Sequence, residues 1–268
     1  MTPRFLSLLG FATLLAGLIP IASQAATAED MVARGLKIVT EADRRNQGWG
    51  DSQSQMKMVL RNAHGDASER KLRSKILEVI GDGDKSLSIF DQPRDVKGTA
   101  FLTFSHAVEP DDQWIYLPAL KRVKRISSRN KSGPFMGSEF AYEDMSSFEV
   151  EKYRYRYLRD EQLDGIDCFV VESYPNDKYS GYTRLISWFD KKEYQVQKID
   201  YFDRKDSPLK TLRFSDYRLF LDQYWRAHQL AMTNHQTGKS TLLTLSDIQF
   251  QSGLQDSDFN KNSLKRAK

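Results

Sequence analysis

The chain has 268 residues, 40% of them apolar and 28% charged, with one cysteine and a formal net charge of +4. A single cysteine excludes an internal disulfide, so a packed core must hold the fold, and a chain this long can bury one. The small positive excess lacks the strongly basic signature of a nucleic-acid binder, and no nucleic-acid partner is expected.

At the start, Arg4 precedes an apolar run from Phe5 to Ile21, and Ser23-Gln24-Ala25 sets small residues where a signal peptidase inspects them. These features predict residues 1–25 as an export signal cut after Ala25, with a cut after Ala28 as the alternative. A run of about 17 apolar residues ending in Pro20 and small residues fits a signal better than a spanning helix. No cysteine lies near the cut, so no lipid anchor is expected there, and losing Arg4 lowers the charge from +4 to +3.

Residues 28–46 read as a helix, with Met31, Leu36, Ile38 and Val39 among polar residues, Gly35 as a weak point, and Gly48 and Gly50 as its stop. Period-two alternation follows. Met56, Met58 and Leu60 share one strand face opposite Lys57 and Arg61, and Leu72 and Ile76 repeat the pattern after the turn at 63–66. Tyr153, Tyr155 and Tyr157 alternate with Arg154 and Arg156, and Asp164-Gly165 signals a hairpin before 166–173. Strand-like runs continue at 181–189, 194–203, 209–220, 224–234 and 240–250. The pattern predicts a mainly β chain of about ten antiparallel strands, with helix only at the start and in the middle. No repeat or linker divides it, so 26–268 reads as a single domain. Such a sheet must close on itself or have its apolar face covered.

Catalytic signals are thin. His64, His106, His228 and His235 are scattered, and no pair has metal-ligand spacing. Ser138 follows Gly137 without the second glycine of a nucleophile elbow. Asp82, Asp84 and Ser86 imitate a calcium loop, but Leu87 and Pro93 stand where that loop needs Gly and Glu, so a hairpin turn is expected. Cys168, among Ile166, Phe169, Val170 and Val171, reads as a buried strand residue. Neither an enzyme nor a metal or cofactor is expected.

Residues 98–145 carry the most specific pattern. An aromatic run (Trp114, Ile115, Tyr116, Leu117, Pro118) flows into a basic run (Lys121, Arg122, Lys124, Arg125) and then a Gly-punctuated apolar loop (Phe135, Met136, Phe140). With Phe90-Asp91-Gln92-Pro93, Asp164-Gly165-Ile166-Asp167-Cys168 and Asp258-Phe259, this order resembles the outer-membrane lipoprotein-sorting proteins, periplasmic relatives of the Lol-type lipoprotein carrier. The resemblance implies a curved antiparallel sheet forming an open half-barrel, with helices in its concave face. It also implies a carrier of acylated cargo, a lipoprotein or lipid, moving toward the outer membrane without covalent chemistry. A transporter of the resistance-nodulation-division type is the implied membrane partner. A lipid-sensing regulatory module and a ligand-free envelope scaffold are the alternatives.

Two residue sets follow. Trp49, Met56, Met58, Leu60, Phe101, Trp114, Tyr116, Phe135, Met136 and Phe140 are the candidate cavity or flap residues, since thioethers and rings repack around flexible acyl chains. Gly133 and Gly137 would let the flap move; the same residues also suit a solid core. Lys121, Arg122, Lys124 and Arg125 are candidates for docking to anionic lipid or an acidic partner, or form a cationic sheet edge. N-terminal sequencing of the exported chain should begin at Ala26; an intact Met1 would overturn the leader assignment.

Overall fold

Helix α1 (Ala28–Arg45) begins with a reciprocal cap: the Thr27 hydroxyl accepts from the Asp30 amide at 3.1 Å, and the Asp30 carboxylate accepts from the Thr27 amide at 2.9 Å. Two amides that a helix start leaves orphaned are thereby satisfied. Glu29 and Asp30 in the first turn and Arg44 and Arg45 in the last complement the helix dipole. The computed structural model describes residues 27–266, so the expected leader lies outside the described residues.

Two wings of strands follow. The first comprises β1 (Asp51–Arg61), β2 (Ala67–Leu77), β3 (Lys85–Gln92), β4 (Ala100–Phe104), β5 (Asp112–Leu117) and β6 (Arg122–Ile126). The second comprises β7 (Tyr153–Leu163), β8 (Ile166–Pro175), β9 (Tyr182–Asp190), β10 (Val196–Asp203), β11 (Pro208–Phe220), β12 (Tyr224–Asn234) and β13 (Ser240–Phe250). All join one 13-stranded antiparallel sheet in the order β6-β5-β4-β3-β2-β1-β13-β12-β11-β10-β9-β8-β7. The wings meet where β1 pairs with β13, from Ser52 opposite Phe250 to Arg61 opposite Ser240. Strands β6 and β7 are the two edges, so the sheet is an open half-barrel.

Residues directly opposed across a ladder share a face. On the inner face Met56 opposes Leu72 and Leu72 opposes Phe90, while Phe101 opposes Ile115 and Leu212 opposes Met232. On the outer face Trp114 opposes Leu102 and Tyr116 opposes Ala100. Helix α1 covers the inner face of the far wing, where Ile38 and Val39 pack on Tyr155, Tyr157, Val171 and Phe189. Gly35 is a contact there and not a weak point: a Cβ would sit 2.7 Å from the Tyr157 amide nitrogen and 2.9 Å from the Arg156 carbonyl carbon. Leu36, expected on the apolar stripe, instead faces solvent at 46% exposure.

The expected middle helix is absent among the described residues. Between β6 and β7 the chain makes only short 3-10 turns, at Ser128–Asn130, Phe135–Gly137, Tyr142–Met145 and Val150–Lys152, because Gly133, Pro134 and Gly137 interrupt any longer helix. Strands β3, β4 and β6 are additional to the roughly ten that alternation indicates. Four consecutive residues of β3 and of β4 are buried, because both faces are covered, so no period-two signal exists to read. The outer cover is the C-terminal segment, which seats Phe259 and Leu264 on Leu87, Ile89, Ala100 and Leu102.

Replacing Gly35 by Ala should destabilise the fold by roughly 1–3 kcal/mol through helix–strand overpacking, although Ala gains up to about 1 kcal/mol of helix propensity. Urea unfolding measures the sign; a stabilised variant would show that the close approach is soft.

Candidate functional site

The segment joining β6 to β7 lies in the inner face and fills the first wing with its own rings. Phe135 is fully buried, its ring 5.0 Å from Phe101, 5.9 Å from Phe90 and 5.7 Å from Tyr142. Phe140 joins the same core with Met58, Leu72 and Leu243. Burying a Phe or Met side chain contributes about 1.5–3 kcal/mol, so this packing is the segment's main attachment.

Polar contacts fix its position. Asp144 accepts from Lys210 Nζ at 2.6 Å, from Tyr182 Oη at 2.8 Å and from the Ala141 amide at 2.7 Å. Lys210 Nζ also donates to the Glu139 carbonyl at 2.9 Å and lies 5.2 Å from each of the Tyr182 and Tyr201 ring centres. Both partners of the ion pair are only 5% exposed. Glu143 accepts from the Gly181 amide and the Ser180 hydroxyl, each at 2.8 Å, and burial raises its pKa. Arg70 donates to the Met136 carbonyl. The segment expected to be a mobile flap is thus tied to β2, β9 and β11.

An open apolar space lies in the other wing. A cavity of ≈ 520 Å³ separates the C-terminal half of α1 from the inner faces of β9 to β13. Ile199, Phe214, Leu230 and Leu245 form its floor, Val39 and Ala42 its helical wall, and Trp49 one end. Ile80 and Phe148, 69% and 48% exposed, are apolar residues of its rim. A second cleft of ≈ 670 Å³ is larger and more charged, with Arg204, Lys205, Lys239 and Glu139 beside Pro134, Phe140 and Leu209.

Charged groups gather at one side of the apolar cavity. Glu78 accepts from the Gly48 and Gly50 amides at 2.6 and 2.7 Å, fixing the turn after α1. Arg226 donates to Asn46 Oδ1 at 2.7 Å, and its guanidinium carbon lies 5.6 Å from the Trp49 ring and 5.3 Å from the Phe250 ring. Burial lowers its pKa to about 10, so it stays cationic at neutral pH. Burial likewise pushes Asp84 up to about 6 and Glu149 up to about 7.

The ten candidate cavity residues do not converge. Trp49 alone lines the apolar cavity. Met58, Phe101, Phe135 and Phe140 are buried in the filled wing, with Met56, Leu60 and Met136 packed against them. Trp114 and Tyr116 are on the opposite side of the sheet, beneath the C-terminal segment with Phe104 and Val123, because strand alternation turns them away from Ile115. Lys121 lies in the turn before edge strand β6, and Arg122, Lys124 and Arg125 lie on it; Arg125 pairs with Asp112. Sequence reading missed Arg226 and Glu149 and took Asp84 only as part of a turn. It recognised the strands bearing Ile199, Phe214, Leu230 and Leu245, whose alternation marks an inner face but not an unfilled one.

Among the described residues no group of three or more His, Cys, Asp or Glu is placed to hold a metal, and no helix is long and apolar enough to cross a membrane.

An open antiparallel half-barrel enclosing a helix, an inserted segment and an apolar cavity is a LolA-like fold. A LolA superfamily protein from Nitrosomonas europaea shares it at 20% identity and a TM-score of 0.68, over 89% of this chain and 99% of that one. The chain belongs to the outer membrane lipoprotein-sorting protein family. It is 62% identical to an outer membrane lipoprotein-sorting protein domain from Vibrio parahaemolyticus, over 88% of this chain and 100% of that one, with a TM-score of 0.86. A DUF1329 family protein from Desulfovibrio piger is 30% identical over 87% of this chain and 99% of its own, with a TM-score of 0.83. A family model described as an uncharacterized protein matches residues 82–266. No curated protein matches.

Lys210→Met should cost about 3–5 kcal/mol, since it leaves Asp144 as an uncompensated buried charge. The double change Lys210→Met with Asp144→Leu should recover most of that loss in urea unfolding; no recovery would mean that the lysine acts through packing alone.

Proposed function

We propose that the protein is a periplasmic carrier that shelters the acyl chains of a lipoprotein or lipid in the cavity beside α1 and passes them toward the outer membrane. The observation that carries this reading is the apolar cavity of ≈ 520 Å³ walled by Ile199, Phe214, Leu230 and Leu245. That volume falls within the roughly 300–1,000 Å³ typical of small-molecule sites. Each buried methylene contributes about 0.8 kcal/mol, so a chain seated there is held without any covalent step. The export signal read at residues 1–25 supports the compartment and leaves 26–268 as one carrier domain. The names of the lipoprotein-sorting relatives support the cargo class. The close packing around Met58 and Phe135 favours the α1 side as the place for cargo.

Handover needs contact with a membrane or a membrane protein. Strand β6, with exposed Arg122, Lys124 and Arg125 at the sheet edge, suits transient docking to anionic head groups. A transporter of the resistance-nodulation-division type is the proposed inner-membrane partner, on family resemblance. Replacing Lys121, Arg122, Lys124 and Arg125 with Gln should weaken sedimentation with anionic vesicles while moving stability by under about 0.5 kcal/mol. Unchanged sedimentation would leave these residues as guards of the sheet edge.

The cavity itself is tested by a pair of variants and a fluorescent acyl probe. Leu230→Trp adds bulk to the cavity floor and should cut probe binding with little loss of stability. Met58→Trp, at a position with no exposure, should cost roughly 1–3 kcal/mol and leave the cavity's binding intact in the folded fraction. Failure of the unmodified protein to bind any acyl probe would end the carrier reading and favour an envelope scaffold.

A further inference from the structure

The residues lining the apolar cavity include five carboxylates and a single guanidinium. Asp43 comes from α1; Glu78, Asp82 and Asp84 come from the turn between β2 and β3; Glu149 comes from the inserted segment; and Arg226 comes from β12. Three of these acids are satisfied by groups other than a cation. Asp43 accepts from Gln47 at 2.7 Å, Glu149 from the Ser147 hydroxyl at 2.6 Å, and Asp84 from the Val79 amide at 3.2 Å. The same Ser147 oxygen accepts from the Asp84 main-chain amide at 3.2 Å, so the Glu149 carboxylate and the Asp84 backbone meet at one hydroxyl. Glu78 holds the turn after α1, and Asp82 accepts from His106 and the Ala107 amide. Lys152, the cation nearest Glu149 in its chain, pairs with Asp111. Arg226 is drawn toward Asn46 and the rings of Trp49, Tyr224 and Phe250.

A half-buried group of like charges is costly because its members repel and each is stripped of water. An anionic head entering the cavity would add to that repulsion, with one guanidinium against five acids. A cationic head would relieve it. We propose that the cavity takes an amphiphile whose head group bears a primary amine, with the ammonium seated between Asp84, Glu149 and Asp43 and the chain along Ile199, Phe214 and Leu230. This rests on the carrier reading and narrows it to a class of cargo.

A pH dependence follows from the neighbours. Burial, and repulsion from Glu78 and Asp43, hold Asp84 at about 6; burial, and repulsion from Asp84 and Asp43, hold Glu149 at about 7, with Lys152 opposing. Asp43 is raised by burial and by Glu151 and Glu78. Arg226 is the cation facing Asp84, and His106 is held at Asp82. An alkyl ammonium, with a pKa near the lysine value of about 10.4, stays charged throughout. Its binding favours ionised carboxylates and therefore releases protons, so affinity rises as pH climbs through the two raised values.

Three ligands of one chain length isolate the head group: dodecylamine, dodecanol and lauric acid, titrated calorimetrically into the delipidated protein below their aggregation thresholds. At about pH 8 the amine should bind tightest and the acid weakest, with about a tenfold gap between amine and alcohol. At about pH 5.5, below the raised values of Asp84 and Glu149, that gap should narrow. The double variant Asp84→Asn, Glu149→Gln should lose the amine preference at both pH values while binding dodecanol as before. Equal binding of amine and alcohol at high pH would overturn the head-group assignment and leave the carrier reading standing. Tightest binding by lauric acid, abolished by Arg226→Gln, would reverse the assignment to an anionic head. Binding of none of the three would remove the carrier reading and this inference with it.

Discussion

The buried pair of Lys210 and Asp144 decides how the inner face is divided. Its Coulomb attraction does not by itself stabilise the fold, because two ions have lost their water. What it contributes is position. Asp144 also receives the Tyr182 hydroxyl and the Ala141 amide, while Lys210 reaches back to the Glu139 carbonyl, so one pair clamps both ends of the chain that carries Phe140. An unpaired charge in that place would be expensive enough to exclude other placements of the segment. With it seated, Phe135 and Phe140 complete the core around Met58 and Phe101.

The far wing is arranged in the opposite sense. Gly35 lets α1 touch the backbone of β7 at Arg156 and Tyr157, and that contact holds the helix near the edge of the sheet. Downstream the helix runs into the turn that Glu78 fastens through the Gly48 and Gly50 amides. With the chain fixed at both places, the C-terminal half of the helix faces β9 to β13 across the cavity without filling it. Strands form the floor of the cavity, while the turn at 78–84 and the inserted segment at 147–149 complete its rim.

Much of this architecture was legible before any coordinates. Tyr153, Tyr155 and Tyr157 alternating with arginines, and the regular strands after Asp164-Gly165, follow from one-sided burial, which writes itself into sequence as period two. Strands β3 and β4 were not legible, because the C-terminal segment buries their second face and removes the alternation. The site was harder. Period two tells which residues share a face but not which face is filled, so Met58 beside a packed ring and Leu230 beside open space look alike. Trp114 and Tyr116 mislead for a related reason: their rings suit a cavity, but alternation with the inward Ile115 sends them to the outer face. Arg226, Asp84 and Glu149 are distant in sequence and gain meaning only when α1 and the inserted segment bring them to one cavity.

The seam between β1 and β13 bears on how this chain is made. Each wing is built of neighbouring hairpins, apart from the β6–β7 crossover, and such local pairings close small loops cheaply. The seam joins Ser52 to Phe250 and closes a loop of nearly the entire described chain. Until the last strand emerges, β1 has a free edge and the inner face has no continuous wall. Topologies that depend on such remote contacts fold slowly. Closure of the half-barrel therefore waits for β13, the last of its strands in chain order, and every contact across the seam is made late.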